Sequence, residues 1–221
     1  MNRRPAITVT FAQSLDGRIA TKDGSSQWIS GPETLELAHE LRNANSAIMV
    51  GIGTVLADNP RLTCRLPSGS SPVRIVLDTR LRIPLDCHIV ETAGDPPSIV
   101  FTAPKASAKA EEALTDQSVR VERVPVDESG RLDLRAVCER LTTLGLASVL
   151  IEGGSGLITS TLRSGIWDRI VAVTAPIFIG QGVETVGDLG PVDLPSLPRH
   201  RTVSVERRGN DVVWIMERAD G

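Results

Sequence analysis

Strand-like and helix-like patterns alternate through most of the chain, and this alternation restricts the fold more than any other feature. Short β-branched runs predict strands at residues 7–12, 47–50, 73–77, 98–102, 119–124, 148–151 and 168–174. Apolar residues at helical spacing predict helices at residues 30–44, 105–114, 132–144 and after 153. Two last strands, residues 202–206 and 212–217, flank a turn and predict a hairpin. The sequence therefore predicts an α/β fold in one domain over residues 1–221, with a mostly parallel central sheet, helices on both faces and a C-terminal antiparallel hairpin.

Two of the predicted strands run directly into glycines and a helix start. Residues 46–65 read as a buried strand, then Gly51 and Gly53, a short helical turn, and a polar loop that contains Asp58 and Arg65. Residues 151–156, Ile-Glu-Gly-Gly-Ser-Gly, repeat the strand–glycine–helix order. Helix starts present unpaired N–H groups and a positive dipole end, which favours a bound phosphate. A tight strand-to-helix turn without a ligand is an equal alternative for residues 151–156.

Several charged residues follow predicted strands, where ligands sit in open α/β sheets. Thr79, Arg80 and Arg82 after the third strand suit a ribose 2′-phosphate and hence NADPH, although a solvated turn is the simpler interpretation of these residues alone. Glu152 suits a ligand amino group or a solvated turn. Arg42 lies near a helix C-terminus, where a cation also offsets the dipole, whereas Arg65 has no such structural reason.

Composition excludes several function classes. The net charge of −3, three Phe, three Trp and no Tyr give neither a basic face nor a stacking platform, so we expect no nucleic-acid partner. No apolar run is long enough to span a bilayer, and three cysteines without paired spacing indicate a reduced, cytoplasmic protein. The three histidines lack ligand spacing, so we expect no metal. Trp28, by residue type, is more often core than cofactor contact.

Taken together, several segments resemble the reductase of riboflavin biosynthesis, which in bacteria is usually the C-terminal half of a bifunctional deaminase–reductase and elsewhere stands alone. The matching segments are TFAQSLDGRIA (10–20), SQWISG (26–31), LR (41–42), VGIGTVLADNPRLT (50–63) with Arg65, residues 73–79, IEGGSG (151–156) and APIFIGQG (175–182). The resemblance implies a dihydrofolate-reductase-like fold, NADPH as cofactor, and a homodimer. It also implies reduction of a phosphorylated ribosylaminopyrimidine to its ribitylamino form.

The resemblance carries site residues over by position. It implies a cofactor site formed by Ala12, Trp28, Gly53, Thr54, Asp58, Thr79, Gly154, Ser155, Gly156 and Leu157. It implies a substrate site formed by Ser26, Arg42, Leu62, Arg65 and Glu152, with Asp58 and Glu152 as catalytic residues. Guanidinium groups pair with phosphate in a fork, so the two arginines suit the substrate phosphate.

One position departs from the bifunctional members of this family. They usually carry Lys where this chain has Thr10, and Thr-x-Ala-Gln-Ser is closer to the stand-alone type. We therefore predict that the substrate is the diaminopyrimidinone ribosyl phosphate, which keeps its amino group. The alternatives are a 5-amino-6-(5-phosphoribosylamino)uracil reductase, a dihydrofolate-reductase-like pterin reductase, and a non-enzymatic NADPH-binding sensory protein.

Overall fold

A computed structural model describes residues 4–191 and 193–219 of the chain. The described residues fall into two compact units, the first with residues 4–6 and 39–150, the second with residues 7–38, 151–191 and 193–219. The single domain over residues 1–221 stays a prediction. Within the described ranges, every helix is too short or too polar to cross a membrane.

Eleven strands and six α-helices are assigned within the described residues. The strands are β1 (Ala6–Ser14), β2 (Arg18–Thr21), β3 (Ala47–Gly51), β4 (Val73–Leu77), β5 (Ser98–Thr102), β6 (Arg120–Arg123), β7 (Ser148–Glu152), β8 (Arg169–Ala175), β9 (Gly182–Glu184), β10 (Arg201–Arg208) and β11 (Asp211–Glu217). The helices are α1 (Pro32–Asn43), α2 (Ile52–Asp58), α3 (His88–Glu91), α4 (Ala108–Asp116), α5 (Leu134–Thr143) and α6 (Ser155–Ser164), with a 3-10 turn at Leu194–Ser196.

In the first unit, β3, β4, β5 and β6 lie side by side in that order, and each pair is parallel. All five residues of β5 are buried, as are the first four of β3, which is the apolar pattern of strands covered on both faces. The register places Gly51 beside Leu77. The start of α2 and the turn after β4 therefore leave the sheet at the same edge.

In the second unit, the strand order is β10, β11, β8, β1. β1 and β8 are parallel, and Ala12 lies beside Val173. β11 runs antiparallel to both β8 and β10, so the C-terminal hairpin is confirmed. A separate antiparallel pair joins β2 to β9.

The predicted α/β class with its mostly parallel sheet is confirmed, and β4 and β5 have the predicted bounds. The helix predicted at residues 105–114 instead runs over Ala108–Asp116, because the Ser107 side chain accepts the Ala110 N–H and caps the helix there. The helix predicted over residues 132–144 is α5, capped by the Asp133 carboxylate through the Arg135 N–H. Three short elements were not predicted, namely β2, α3 and β9.

Candidate functional site

The first group of predicted site residues lies at the junction of β3 and α2. Gly51 is the N-cap in extended conformation, and no side chain among the described residues caps it. Gly53 is exposed, and a Cβ built there would meet nothing within 4 Å. Thr54 is half-buried, and α2 ends at the exposed Asp58. Gly53, Thr54 and Asp58 therefore lie on one seven-residue helix whose first turn is open to a neighbouring group.

Leu62 lies in the loop that follows α2, but its side chain belongs to the core. It is 3% exposed and packs in the apolar cluster that contains Ile48, Val50 and Val76. Its φ of 54° is left-handed, which is unusual for a branched side chain. Leu62 could therefore contact a substrate through its main chain, since its side chain is buried.

The C-terminal turn of α1 holds the next part of that loop. Arg42 Nη1 donates to the Thr63 carbonyl at 3.1 Å. The Arg65 N–H donates to His39 Nδ1 at 3.2 Å, and the Arg65 side chain is exposed. The structure thus brings Arg42 and Arg65, the two predicted phosphate ligands, to the same loop. His39 joins them there, although its isolated position in the sequence gave no signal for it.

The turn after β4 is organised by Asp78, a residue that sequence reasoning did not single out. Asp78 is fully buried, and its carboxylate accepts the N–H groups of Arg82 and Ile83 and, at 3.3 Å, that of Arg80. Thr79 is half-buried and its carbonyl accepts two hydrogen bonds from the end of β5. Arg80 and Arg82 are exposed. A carboxylate directly after a strand, followed by exposed cations, is the signal that indicates such a turn.

In the second unit, glycines lead from β7 into α6. Gly153 and Gly154 have φ of 77° and 79°, a conformation that glycine adopts without strain. Gly154 is the N-cap of α6 without a side-chain hydrogen bond, and a Cβ at the exposed Gly156 would meet nothing within 4 Å. Leu157 is 8% exposed and anchors the helix in the core. The first turn, Ser155 included, therefore offers main-chain N–H groups to an anion.

The remaining predicted residues of the second unit differ in exposure. Trp28 is 66% exposed, so the interpretation of Trp28 as a core residue is wrong. Ala12 on β1, Ser26, and Glu152 at the end of β7 are half-buried. Such partial exposure leaves these side chains room to meet a ligand.

Asp16 fixes the Ser-Leu-Asp-Gly turn to the loop that follows β8. Its carboxylate accepts hydrogen bonds from the Ser14 hydroxyl at 2.6 Å and from the N–H groups of Ile179 and Gly180 at 3.1 and 2.7 Å. The Ser14 hydroxyl, with these two main-chain donors, lowers the pKa of the Asp16 carboxyl to about 2. Asp16 is therefore a charged clamp within the second unit.

Each unit contains a turn that suits a phosphate group of a nicotinamide cofactor. The open glycine turn before α6 and the uncapped start of α6 fit a pyrophosphate, and the Asp78 turn presents guanidinium groups that suit a further phosphate. The residues that the structure describes contain no group of three or more His, Cys, Asp or Glu side chains placed to hold a metal ion.

Curated relatives share most of the chain. A riboflavin biosynthesis protein RibD from Aquifex aeolicus is 38% identical over 97% of this chain and 58% of its own length. The chain thus spans less than two thirds of that relative. A 2,5-diamino-6-ribosylamino-4(3H)-pyrimidinone 5′-phosphate reductase from Methanothermobacter thermautotrophicus is 39% identical, over 80% of each chain.

Solved structures confirm the fold. A deaminase/5-amino-6-(5-phosphoribosylamino)uracil reductase from Thermotoga maritima has a TM-score of 0.80 at 29% identity, over 98% of this chain and 57% of that one. Dihydrofolate reductase from Enterococcus faecalis, at 15% identity, has a TM-score of 0.51 over 97% of each chain, which bears on the fold alone. The family model described as RibD C-terminal domain matches residues 5–214. With that match over almost its whole length, the chain belongs to the RibD C-terminal domain family.

Proposed function

We propose that this chain is an NADPH-dependent pyrimidine reductase of riboflavin biosynthesis, and that its substrate is 2,5-diamino-6-ribosylamino-4(3H)-pyrimidinone 5′-phosphate. The observation that carries the proposal is the Methanothermobacter relative, which bears that name and is matched over 80% of both chains. Arg42 at the end of α1 and Arg65 on the loop after α2 supply the cations that such a phosphorylated substrate needs.

The reaction converts an imine to an amine. In the ring-opened substrate, C1′ of the sugar is double-bonded to the nitrogen that joins it to the pyrimidine. When bound, NADPH supplies the hydride that adds to C1′, and the nitrogen gains a proton to give the ribitylamino product. The transfer needs no protein nucleophile. The task of the protein is therefore to align the hydride donor carbon with C1′ and to exclude water.

The cofactor is held by residues with the geometry described above. The first turn of α6, from Gly154 to Leu157, contacts the pyrophosphate, and Thr79 with Arg80 contacts the ribose 2′-phosphate. Gly53, Thr54 and Asp58 on α2, with Ala12 and the exposed Trp28, complete the cofactor residues. Asp58 orients the cofactor or supplies the proton.

The substrate is held by a separate set of residues. Arg42, Arg65 and Ser26 bind the phosphate, the Leu62 main chain supports the same loop, and Glu152 binds the pyrimidine amino groups. Thr10 does not select the substrate by direct contact, because it is 6% exposed and its hydroxyl donates to the Val171 carbonyl at 3.0 Å. The preference for the diaminopyrimidinone thus rests on the stand-alone relatives.

The enzyme works as a homodimer in the cytoplasm, on a small phosphorylated substrate, without nucleic-acid or membrane partners. The net charge of −3 supports the absence of a nucleic-acid surface.

The test measures NADPH oxidation by the purified chain with the diaminopyrimidinone ribosyl phosphate and, in parallel, with its deaminated aminouracil counterpart. We expect faster turnover of the first, with a product two hydrogens heavier. The second candidate is the aminouracil reductase, favoured by the Thermotoga structure, and faster turnover of the aminouracil would select it. NADPH binding without turnover of either compound would contradict both and leave the pterin reductase or the sensory protein.

A further inference from the structure

The loop between α2 and β4 is tied to one face of α1. His39, Arg42 and Asn43 are spaced at i, i+3 and i+4, so their side chains lie on the same side of the helix. Each contacts a different part of the loop. Arg42 bonds the Thr63 carbonyl, and Asn43 Oδ1 accepts the Ser70 N–H at 2.9 Å.

His39 makes the contact that bears directly on Arg65. Its Nδ1 accepts the Arg65 N–H at 3.2 Å, and its carbonyl accepts the Cys64 thiol at 3.5 Å. Because His39 Nδ1 accepts a hydrogen bond, it carries a lone pair and no proton. The hydrogen-bond network therefore assigns the ring proton to Nε2. One residue of α1 therefore holds two successive residues of the loop.

The contact fixes the backbone from which the Arg65 side chain starts. Arg65 is exposed, and its long flexible side chain loses conformational entropy when the guanidinium binds an anion. A main chain that already points the side chain towards the anion reduces that loss. The Asn43 contact holds the other end of the loop, five residues beyond Arg65. The His39 ring, by contrast, restrains the main chain of Arg65 itself.

We propose that His39 is a positioning residue that sets Arg65 for binding the phosphate of the substrate. This proposal rests on the proposed function, in which Arg65 is a phosphate ligand. His39 touches neither the reacting carbons nor the hydride donor in this assignment. Its removal should therefore weaken phosphate binding and leave the chemical step unchanged.

Two substitutions of His39 separate the acceptor from the bulk of the ring. His39→Leu keeps the branching near Nδ1 but removes the acceptor. His39→Asn places Oδ1 where Nδ1 lies and keeps an acceptor. We expect His39→Leu to weaken binding of D-ribose 5-phosphate about 3- to 10-fold and to raise the KM of the phosphorylated pyrimidine by the same factor. The kcat and the KM for NADPH should not change. We expect His39→Asn to stay within about 2-fold of the unsubstituted chain on every measure.

Three controls test whether the effect runs through Arg65. D-ribose without the phosphate should bind the unsubstituted chain and His39→Leu equally weakly. In an Arg65→Ala background, His39→Leu should cause no further loss. Asn43→Ala, which frees the other end of the loop, should weaken the binding of ribose 5-phosphate less than His39→Leu does.

Equal binding of ribose 5-phosphate by the unsubstituted chain and His39→Leu would overturn the proposal. Equal losses in His39→Leu and His39→Asn, or a further loss in the Arg65→Ala background, would overturn it as well, since they indicate a general structural effect. The binding measurement does not depend on turnover. A chain that binds ribose 5-phosphate in the expected pattern but reduces neither pyrimidine would contradict the proposed function and keep the role of His39.

Discussion

At the scale of single residues, the two arginines near the C-terminal end of α1 distinguish a sugar-phosphate substrate from a pterin. We expect Arg65→Gln to raise the KM for the phosphorylated pyrimidine about 10- to 100-fold, because hydrogen bonds to charged groups contribute about 1.5–3 kcal/mol. Steady-state kinetics with saturating NADPH measures the change. The dephosphorylated substrate is the control and should be unaffected. An unchanged KM for the phosphorylated compound would favour the pterin reductase.

We expect Arg80 to decide the preference for NADPH over NADH. It is exposed on a turn that the buried Asp78 carboxylate holds in place, which leaves its guanidinium available to a 2′-phosphate. We expect Arg80→Ala to lower the ratio of kcat/KM for NADPH over NADH about 10-fold. Arg82→Ala is the comparison and should have the smaller effect, because Arg82 Nε already lies 3.9 Å from Asp78 Oδ1. An equal effect of both substitutions would contradict a specific role for Arg80.

The family resemblance, together with residue types at strand ends, predicted the candidate site residues but not the residues that support them. Arg65 was singled out because no helix end requires its charge, whereas Arg42 was assigned to the substrate by the family resemblance. His39 was missed because its partner is a main-chain N–H group, which no spacing rule reveals. Asp78 was missed although a carboxylate directly after a strand indicates such a turn. Leu62 was assigned to the substrate by resemblance, whereas its burial depends on packing in the core cluster.

At the scale of elements, α1 receives its N-terminal cap from a distant strand. Asp211, the first residue of β11, is 3% exposed and its Oδ2 accepts the Gly31 N–H at 2.7 Å and Thr34 Oγ1 at 2.6 Å. Removal of the carboxylate takes this acceptor from the Gly31 N–H, whereas the Thr34 hydroxyl keeps the Gly31 carbonyl as an acceptor at 2.9 Å. We therefore expect Asp211→Ala to lower the free energy of unfolding by about 2 kcal/mol in urea titrations.

Two further substitutions check that interpretation. Thr34→Val removes one of the two donors and should cost less than Asp211→Ala. Glu36→Ala, at an exposed position of the same helix, should change the free energy of unfolding by no more than about 0.5 kcal/mol. A loss in Thr34→Val as large as that in Asp211→Ala would indicate that the cap at Gly31 contributes nothing.

Local patterns predicted the elements whose determinants are local. β4 and β5 are continuous apolar runs between turn residues, and the hairpin is marked by its turn. The helix over residues 30–44 was predicted from its apolar spacing, but the carboxylate that caps the start of α1 lies 180 positions further along the chain from Gly31. β9 has three residues and α3 has four, which is too short for either period to be recognised.

At the scale of the whole molecule, each compact unit contains a carboxyl group whose pKa folding lowers. In the first unit, burial raises the pKa of Glu122, but the hydrogen bonds and charges of Arg140 and Arg120 outweigh burial and hold it below its ordinary value of 4.5. Arg140 donates to both Glu122 oxygens, at 2.8 and 3.0 Å. In the second unit, the pKa of Asp16 falls from 3.8 to about 2.

Both shifts make the stability of the chain depend on pH in the same direction. Since the folded pKa values are the lower ones, the unfolded chain binds more protons than the folded chain as the pH falls below about 5. The stabilisation is therefore complete above the ordinary values and is lost as the pH falls towards the folded values. We expect the urea midpoint to be level between pH 6 and 7 and to fall steadily between about pH 5 and pH 3.

Substitutions that remove the charge of Asp16 or of Glu122 test whether these two carboxyl groups cause the fall in the urea midpoint. Asp16→Asn and Glu122→Gln should each lower the urea midpoint at pH 7, and each should reduce the fall between pH 7 and pH 3, because one titrating group has been removed. Asp23→Asn, at an exposed position, is the matched control and should keep the fall seen in the unsubstituted chain. A fall of the same size in Asp16→Asn and Glu122→Gln as in the unsubstituted chain would show that other groups cause the acid dependence. Because each carboxyl lies in a different unit, the double substitution should reduce the fall by the sum of the two single effects.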